Sequence, residues 1–235
     1  MNPQQQLRNS MLKVYLDNIL KPKKNELLEL ETKFGTIPGI KPITRIDYEN
    51  VIKKLKSSGF TLDSNNYLLR IQSEYTDVKT GLTRTSNIRA EITSLQDART
   101  YCKTNSIEDI KYGVSFLQKQ PYNKSISPVN YADFNFRMTL SNETTIDRDS
   151  SLIKGLTDNW SNNKKIFRYM NRYSFKHPDL PFIVDLSIVK ESDRKGGKFP
   201  IPQYTIQDSG VFSGNERYEI EIECINALIG PGTAF

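Results

Sequence analysis

Two stretches near opposite ends of the chain alternate apolar and charged side chains, with Thr32 the one break. Leu28, Leu30 and Phe34 alternate with Glu29, Glu31 and Lys33, and Tyr218, Ile220 and Ile222 alternate with Glu219, Glu221 and Glu223. Successive side chains of a β-strand point to opposite faces, so each stretch reads as a strand with one apolar face and one ionic face. Three carboxylates in a row on one face repel one another unless cations lie among them. Any sheet that takes up these two strands must therefore also bring basic groups to them.

The same period recurs along most of the chain. Candidate strands fall at about 27–34, 67–75, 84–92, 111–119, 133–141, 164–175, 181–189 and 216–225, separated by turn-rich segments such as Asp77-Val78-Lys79-Thr80-Gly81. Phe134, Phe136, Met138 and Leu140 oppose Asn135, Arg137 and Thr139, and Phe182, Val184, Leu186 and Ile188 oppose Asp185 and Ser187. Phe167, Tyr169, Tyr173 and Phe175 oppose Arg168, Met170, Arg172 and Ser174, while Arg70, Gln72, Glu74, Arg89 and Glu91 take the polar face of their own strands. Two helices are expected. One runs over 5–20 with Leu7, Met11, Val14, Tyr15 and Leu20 near helical spacing and Pro22 beyond it; the other follows a Thr44/Asp47 capping box and stops at Gly59. Ser192 to Asp208, with two prolines and a Gly-Gly pair, reads as a long loop. At 235 residues the default is a single domain over 1–235.

Taken alone, each strand could belong to an open antiparallel sheet with its polar face in water. Together the polar faces tell against this, because two are carboxylate ladders and several others carry Arg at mid-strand. The alternative is a mainly β (α+β) fold: an eight-stranded antiparallel closed β-barrel with a polar lumen, its apolar outside covered by a few packing helices and loops. Carboxylates on one wall and guanidiniums on another suit a polyphosphate with its divalent metal.

Composition narrows the chemistry. His177 is the single histidine, and Cys102 and Cys224 show no metal-ligand or redox spacing, so Ser-His-Asp, Cys-His and histidine-zinc chemistry lack material. There is no glycine-rich phosphate loop, no KxDG nucleotidyltransferase motif, no apolar run of membrane-spanning length and no secretory leader at the start, which leads us to expect a soluble, unexported chain. The formal charge of +6 favours an anionic partner.

The two ladders resemble the paired glutamate motifs of the triphosphate tunnel metalloenzymes. The closest likeness is to the RNA 5′-triphosphatase domain of mRNA capping enzymes of large DNA viruses. Phe136 to Leu140, Phe167 to Phe175 and Phe182 to Lys190 add to the resemblance, which spans about residues 25–225. It implies an eight-stranded tunnel that removes the γ-phosphate from the 5′ end of nascent mRNA, with Mn²⁺ or Mg²⁺ as cofactor. Matched position by position, Glu29, Glu31 and Glu223 fall on metal ligands and Glu221 on the carboxylate that orients the attacking water, with Glu219 in the same ladder. Arg137, Arg168 and Arg172 fall on phosphate contacts, Lys33 on the lysine of the first motif, and Asp185 with Ser187 on a supporting hydrogen-bonding pair. The implied partners are 5′-triphosphate RNA and guanylyltransferase and methyltransferase domains of the same polypeptide, of which this chain could be the N-terminal part, with no membrane. The implied location is intracellular, in the host cytoplasm or the virion if the source is viral. Other members of the superfamily hydrolyse free nucleotide, thiamine or inorganic triphosphates, and a non-catalytic polyphosphate- or RNA-binding domain is the further alternative. One position departs from the pattern: Met170 stands where relatives commonly carry Lys, so Lys154, Lys164 or Lys198 supplies that charge or the site works with one cation fewer.

Overall fold

The computed structural model describes residues 3–19, 28–37, 39–77, 79–110, 113–123, 125–196 and 199–230. In chain order the elements are α1 (Pro3–Ile19), β1 (Leu28–Phe34), α2 (Arg45–Ser57), β2 (Thr61–Thr76), β3 (Thr83–Thr85), β4 (Ile88–Ile92), α3 (Leu95–Thr104), β5 (Val114–Pro121), β6 (Val129–Tyr131), β7 (Phe136–Ile146), α4 (Ser151–Thr157), β8 (Lys165–Lys176), β9 (Phe182–Glu191), β10 (Arg194–Lys195), β11 (Phe199–Pro200) and β12 (Arg217–Cys224). Eight of the strands close on themselves in the order β1-β12-β9-β8-β2-β4-β5-β7 and back to β1, each pair antiparallel. Closure satisfies the backbone of every barrel strand on both sides and leaves an inside and an outside. The expected eight-stranded closed barrel is thus observed, and the two ladders are neighbours in it: Glu31 stands opposite Glu223 and Lys33 opposite Glu221.

The apolar residues that alternate with the charges face outward and are covered by helices. Met11, Tyr15 and Ile19 of α1 pack on Leu28, Leu30 and Leu140. Tyr48 of α2 packs on Phe175, Val184, Leu186 and Ile220. Ala98 and Tyr101 of α3, with Ile153 of α4 and Trp160, pack on Leu69, Ile71, Ala90, Ile92, Phe116 and Phe167. Trp160 anchors its loop: its indole Nε1 donates to Tyr101 Oη at 3.2 Å, and its carbonyl accepts from the buried ammonium of Lys165 at 2.6 Å.

The Thr44 capping box forms as the sequence indicates. Several boundaries differ. Among the described residues four helices cover the barrel where the sequence indicates two, since α3 and α4 are short; Ser94 and Ser150 cap them, accepting from the backbone N–H of Asp97 and Ile153. Leu7, placed on an apolar helix face by the periodicity, is exposed, as is Ile46 of α2, and Leu20 and Pro22 lie outside the described residues. The expected strand 84–92 is two strands, β3 and β4. The expected strand 133–141 begins later and runs on to Ile146, because Ala132–Phe134 form a 3-10 turn and Asn135 adopts φ 49°, a left-handed conformation that Asn tolerates. Phe134 is therefore an exposed rim residue instead of a strand residue. Within 192–208, the expected loop, β10 and β11 form a small hairpin. No helix among the described residues is long and apolar enough to cross a membrane.

Burial on the outer face should dominate stability. Leu186→Ala empties a site with no exposed surface and should cost about 2–5 kcal/mol. Ile46→Ala, at a position 70% exposed, should change stability by less than about 0.5 kcal/mol. Urea denaturation midpoints of the two variants beside the parent measure the contrast.

Candidate active site

Inside the barrel, ammonium groups are interleaved with the glutamate ladders. Lys119 Nζ of β5 lies 2.6 Å from Glu29 Oε1 and 2.9 Å from Glu31 Oε2. Lys33 Nζ lies 3.4 Å from Glu31 Oε2 and 3.1 Å from Glu221 Oε1. Glu31 and Glu221 thereby escape the penalty of a buried, unpaired charge. Burial alone would raise Glu31, but the two lysines hold it at about 2. Glu221, half-buried, is held below its ordinary value by Lys33 and Arg172 against the effect of burial. The supply of cations runs out towards the other members: burial pushes Glu29 up to about 8 against the pull of Lys119, and Glu223 up to about 7 with Asp185, Glu31 and Glu143 adding repulsion. Glu29 Oε2 is buried without a hydrogen-bond partner, and Glu223 forms no ion pair among the described residues.

A second wall is made of guanidiniums. Arg172 of β8 places Nη1 2.9 Å from Asp185 Oδ2 and Nη2 3.6 Å from Glu221 Oε2, and its Nε donates to Ser187 Oγ at 3.3 Å. Ser174 Oγ donates to Asp185 Oδ1 at 2.6 Å, which fixes that carboxylate in turn. Arg168 pairs with Glu219 and lies 3.5 Å from Glu191 Oε1. In register beside it, Arg70 of β2 stands opposite both Arg168 and Glu91, with Nε 2.5 Å from Glu91 Oε1, an ion pair that lacks hydrogen-bond geometry. Arg89 bridges Glu91 at 2.7 Å and Glu143 at 2.6 Å. Burial lowers the pKa of Arg70, Glu91 opposes this, and the nearby Arg89, Arg172 and Arg168 add to the lowering. These cations repel one another and leave hydrogen-bonding capacity for an anion, since Arg70 Nε and Arg168 Nε are both buried without a hydrogen-bond partner.

The two ends of the barrel differ in sign. A cavity of about 410 Å³ opens where β8 begins and β9 ends, lined by Arg70, Arg89, Lys119, Arg168 and Arg194 against one carboxylate, Glu191. At the opposite ends of those strands a cavity of about 900 Å³ is lined by Glu29, Glu143 and Glu223 with Lys176.

Of the residues singled out in the sequence, Glu29, Glu31, Glu221, Lys33, Arg172, Asp185 and Ser187 join one network, with Asp185 and Ser187 holding Arg172, and Glu223 stands opposite Glu31 in register without an ion pair among the described residues. Glu219 is committed to Arg168, and the Arg137 Nε donates to Asn130 Oδ1 at 3.0 Å, opposite Lys33 in register and without an ion pair among the described residues. Lys119, Glu143 and Glu191 were not singled out; the last two lie just past the expected strand ends, and Lys119 closes its expected strand. As placed, no three His, Cys, Asp or Glu side chains among the described residues are gathered closely enough to hold an ion. The donor set itself is suited to one: hard glutamate oxygens from two adjacent strands, one of them orphaned, match the preference of Mg²⁺ and Mn²⁺.

No protein-family model matches the sequence and no curated protein matches it. Among solved structures, the Mimivirus capping enzyme triphosphatase superposes over 93% of this chain and 88% of its own, with a TM-score of 0.58 at 16% identity. The S. pombe Pct1 RNA triphosphatase superposes over 94% and 79%, with a TM-score of 0.50 at 13% identity. This chain has the triphosphate-tunnel fold.

Within the tunnel, Met170 is fully buried against Leu68 and Val189, its partners across β2 and β9. These three apolar side chains form a dry patch between Arg168 and Arg172. Lys154 sits on α4 outside the barrel, Lys164 lies over the Tyr204 ring, 5.5 Å from its centroid, and Lys198 lies outside the described residues. The cations that supplement Arg168 and Arg172 are Arg70, Arg89 and Lys119. Met170→Lys should therefore bury an ammonium among cations without a carboxylate partner and destabilise the chain by about 2–5 kcal/mol. Thermal unfolding checks this: the midpoint should fall, and saturating tripolyphosphate should raise it more in the variant than in the parent.

Proposed function

We propose that this chain is a metal-dependent RNA 5′-triphosphatase that removes the γ-phosphate from the 5′ end of nascent mRNA, the first step of cap formation, with side activity on free nucleoside triphosphates. The observation that carries this reading is the polarised tunnel: half-buried arginines at one mouth lead to two adjacent glutamate ladders, on a fold shared with two triphosphatases. A 5′-triphosphate enters from the basic mouth. Arg70, Arg168 and Arg172 take its oxygens, with Lys33 and Arg137 contributing from the β1 and β7 side, and Asp185 and Ser187 keep Arg172 aimed.

Glu29, Glu31 and Glu223 would hold Mn²⁺ or Mg²⁺, with Glu219 and Glu221 in the same ladder. Bound there, the metal supplies Lewis-acid stabilisation of the terminal phosphoryl group. Glu221, kept ionised by Lys33 and Arg172, accepts a hydrogen bond from the attacking water and orients it in line. The product, a 5′-diphosphate, is the substrate of guanylyl transfer, so guanylyltransferase and methyltransferase domains are the natural partners, in an intracellular setting: the host cytoplasm or the virion for a viral source.

The test is release of labelled γ-phosphate from triphosphate-ended RNA with and without Mn²⁺. The parent should release it only with metal, and Glu31→Ala should lose at least about a hundredfold in rate. Arg172→Lys should lose about tenfold or more, since a point charge does not reproduce the two-donor grip of a guanidinium. Phosphate binding without release in Mn²⁺ would instead mark a non-catalytic polyphosphate-binding domain.

A further inference from the structure

The hairpin of β10 and β11 is not part of the barrel, yet it reaches the basic mouth. Arg194 and Pro200, paired across it, line the cavity beside Arg70, Arg89 and Arg168. Its base is firmly held. Glu191 Oε2, at the end of β9, accepts from Arg194 Nη2 at 2.5 Å and from Arg217 Nη1 at 2.7 Å, and the same carboxylate faces the lumen residue Arg168. Asp193 N donates to Ser209 O at 2.8 Å and Ile201 N to Asp193 O at 2.7 Å. Gly210, at φ +67°, lets the Asp193 carboxylate approach so closely that a Cβ there would sit 2.4 Å from Asp193 Oδ2.

The other cross-strand pair of this anchored hairpin is Lys195 with Phe199. Phe199 is 72% exposed, the most exposed of the large apolar side chains described, and Lys195 beside it is also exposed. By strand alternation this pair takes the face of the hairpin opposite the cavity-lining Arg194 and Pro200. A phenyl ring in water and a lysine thus stand together on the outer side of the cation-lined mouth, the two groups that hold single-stranded nucleic acid: an aromatic face for a base and a charge for the backbone. The opposite mouth, lined by Glu29, Glu143 and Glu223, repels a polyanion and leaves this rim as the side from which a nucleic acid approaches.

We infer that the β10–β11 hairpin is an RNA subsite outside the tunnel, where Phe199 stacks on a base near the 5′ end of a single-stranded transcript and Lys195 meets its phosphate backbone while the triphosphate occupies the lumen. This rests on the proposed activity and deepens it, because it gives the site a reason to prefer RNA over tripolyphosphate, which has neither base nor backbone.

The experiment compares Phe199→Ala, Phe199→Tyr and Phe199→Leu with the parent on a short triphosphate-ended RNA and on tripolyphosphate, in Mn²⁺. KM for RNA should rise about tenfold in the Ala and Leu variants, stay near the parent value in the Tyr variant, and leave kcat and tripolyphosphate hydrolysis unaltered. Equal losses on both substrates, or rescue by Leu as good as by Tyr, would overturn the subsite. Fluorescence anisotropy of the same labelled RNA separates this from the activity itself. If the parent hydrolyses no RNA, the proposed activity fails; a tenfold weaker Kd for Phe199→Ala would still support the subsite, and an unchanged Kd would remove it.

Discussion

The ammonium groups of Lys33 and Lys119, each set between glutamates, are what allow eight strands to close around so much charge. Lys119 joins Glu29 to Glu31, and Lys33 joins Glu31 to Glu221 across two adjacent strands. Without them the paired ladders, in register at Glu31 and Glu223, would place like charges side by side in a region of low dielectric. The interior is therefore polar by construction of the sheet, and the ordinary hydrophobic core is displaced to the outside of the barrel, under four helices. Stability and site chemistry are separated in space: the outer face supplies the burial, and the inner face is left to electrostatics.

Cations and anions are unevenly distributed along the tunnel. Arginines gather at one mouth, where two buried Nε groups lack hydrogen-bond partners, and carboxylates at the other, where Glu29 Oε2 is orphaned. Buried polar atoms without partners are costly, and their concentration here marks the lumen as built for ligands of both signs. A triphosphate with its divalent metal supplies both at once. The dry patch of Leu68, Met170 and Val189 between Arg168 and Arg172 shows that the cation wall is not a continuous row; charge is supplied from β2, β4 and β5 instead.

Much of this was legible in the sequence, because period-2 alternation survives whichever face is buried. The ladders and the polar faces of β8 and β9 follow from it. What was not legible depends on strand ends or on partners far away in the chain. Glu143 and Glu191 each lie two residues past the expected ends of their strands, where sequence patterns are least decisive. Phe134 carries the same alternation as Phe136 but is turned out by Asn135 in a left-handed conformation. Helices α3 and α4 span only two or three turns, and their one clear signal, a serine cap three residues before the N–H it accepts, is also common in loops. The burial of Met170 depends on Leu68 and Val189 standing opposite it, which no local pattern encodes.

The central claim is that the lumen holds a triphosphate and a divalent cation together. A crystal structure of the chain with Mn²⁺ and tripolyphosphate, with anomalous scattering to locate the manganese, tests it most directly. The account predicts an anomalous peak among Glu29, Glu31 and Glu223, with phosphate density running from it along Arg172, Arg70 and Arg168 towards the basic mouth. Manganese or phosphate bound on the outer surface, with Lys33 and Lys119 still bridging the glutamates in an otherwise empty lumen, would contradict it.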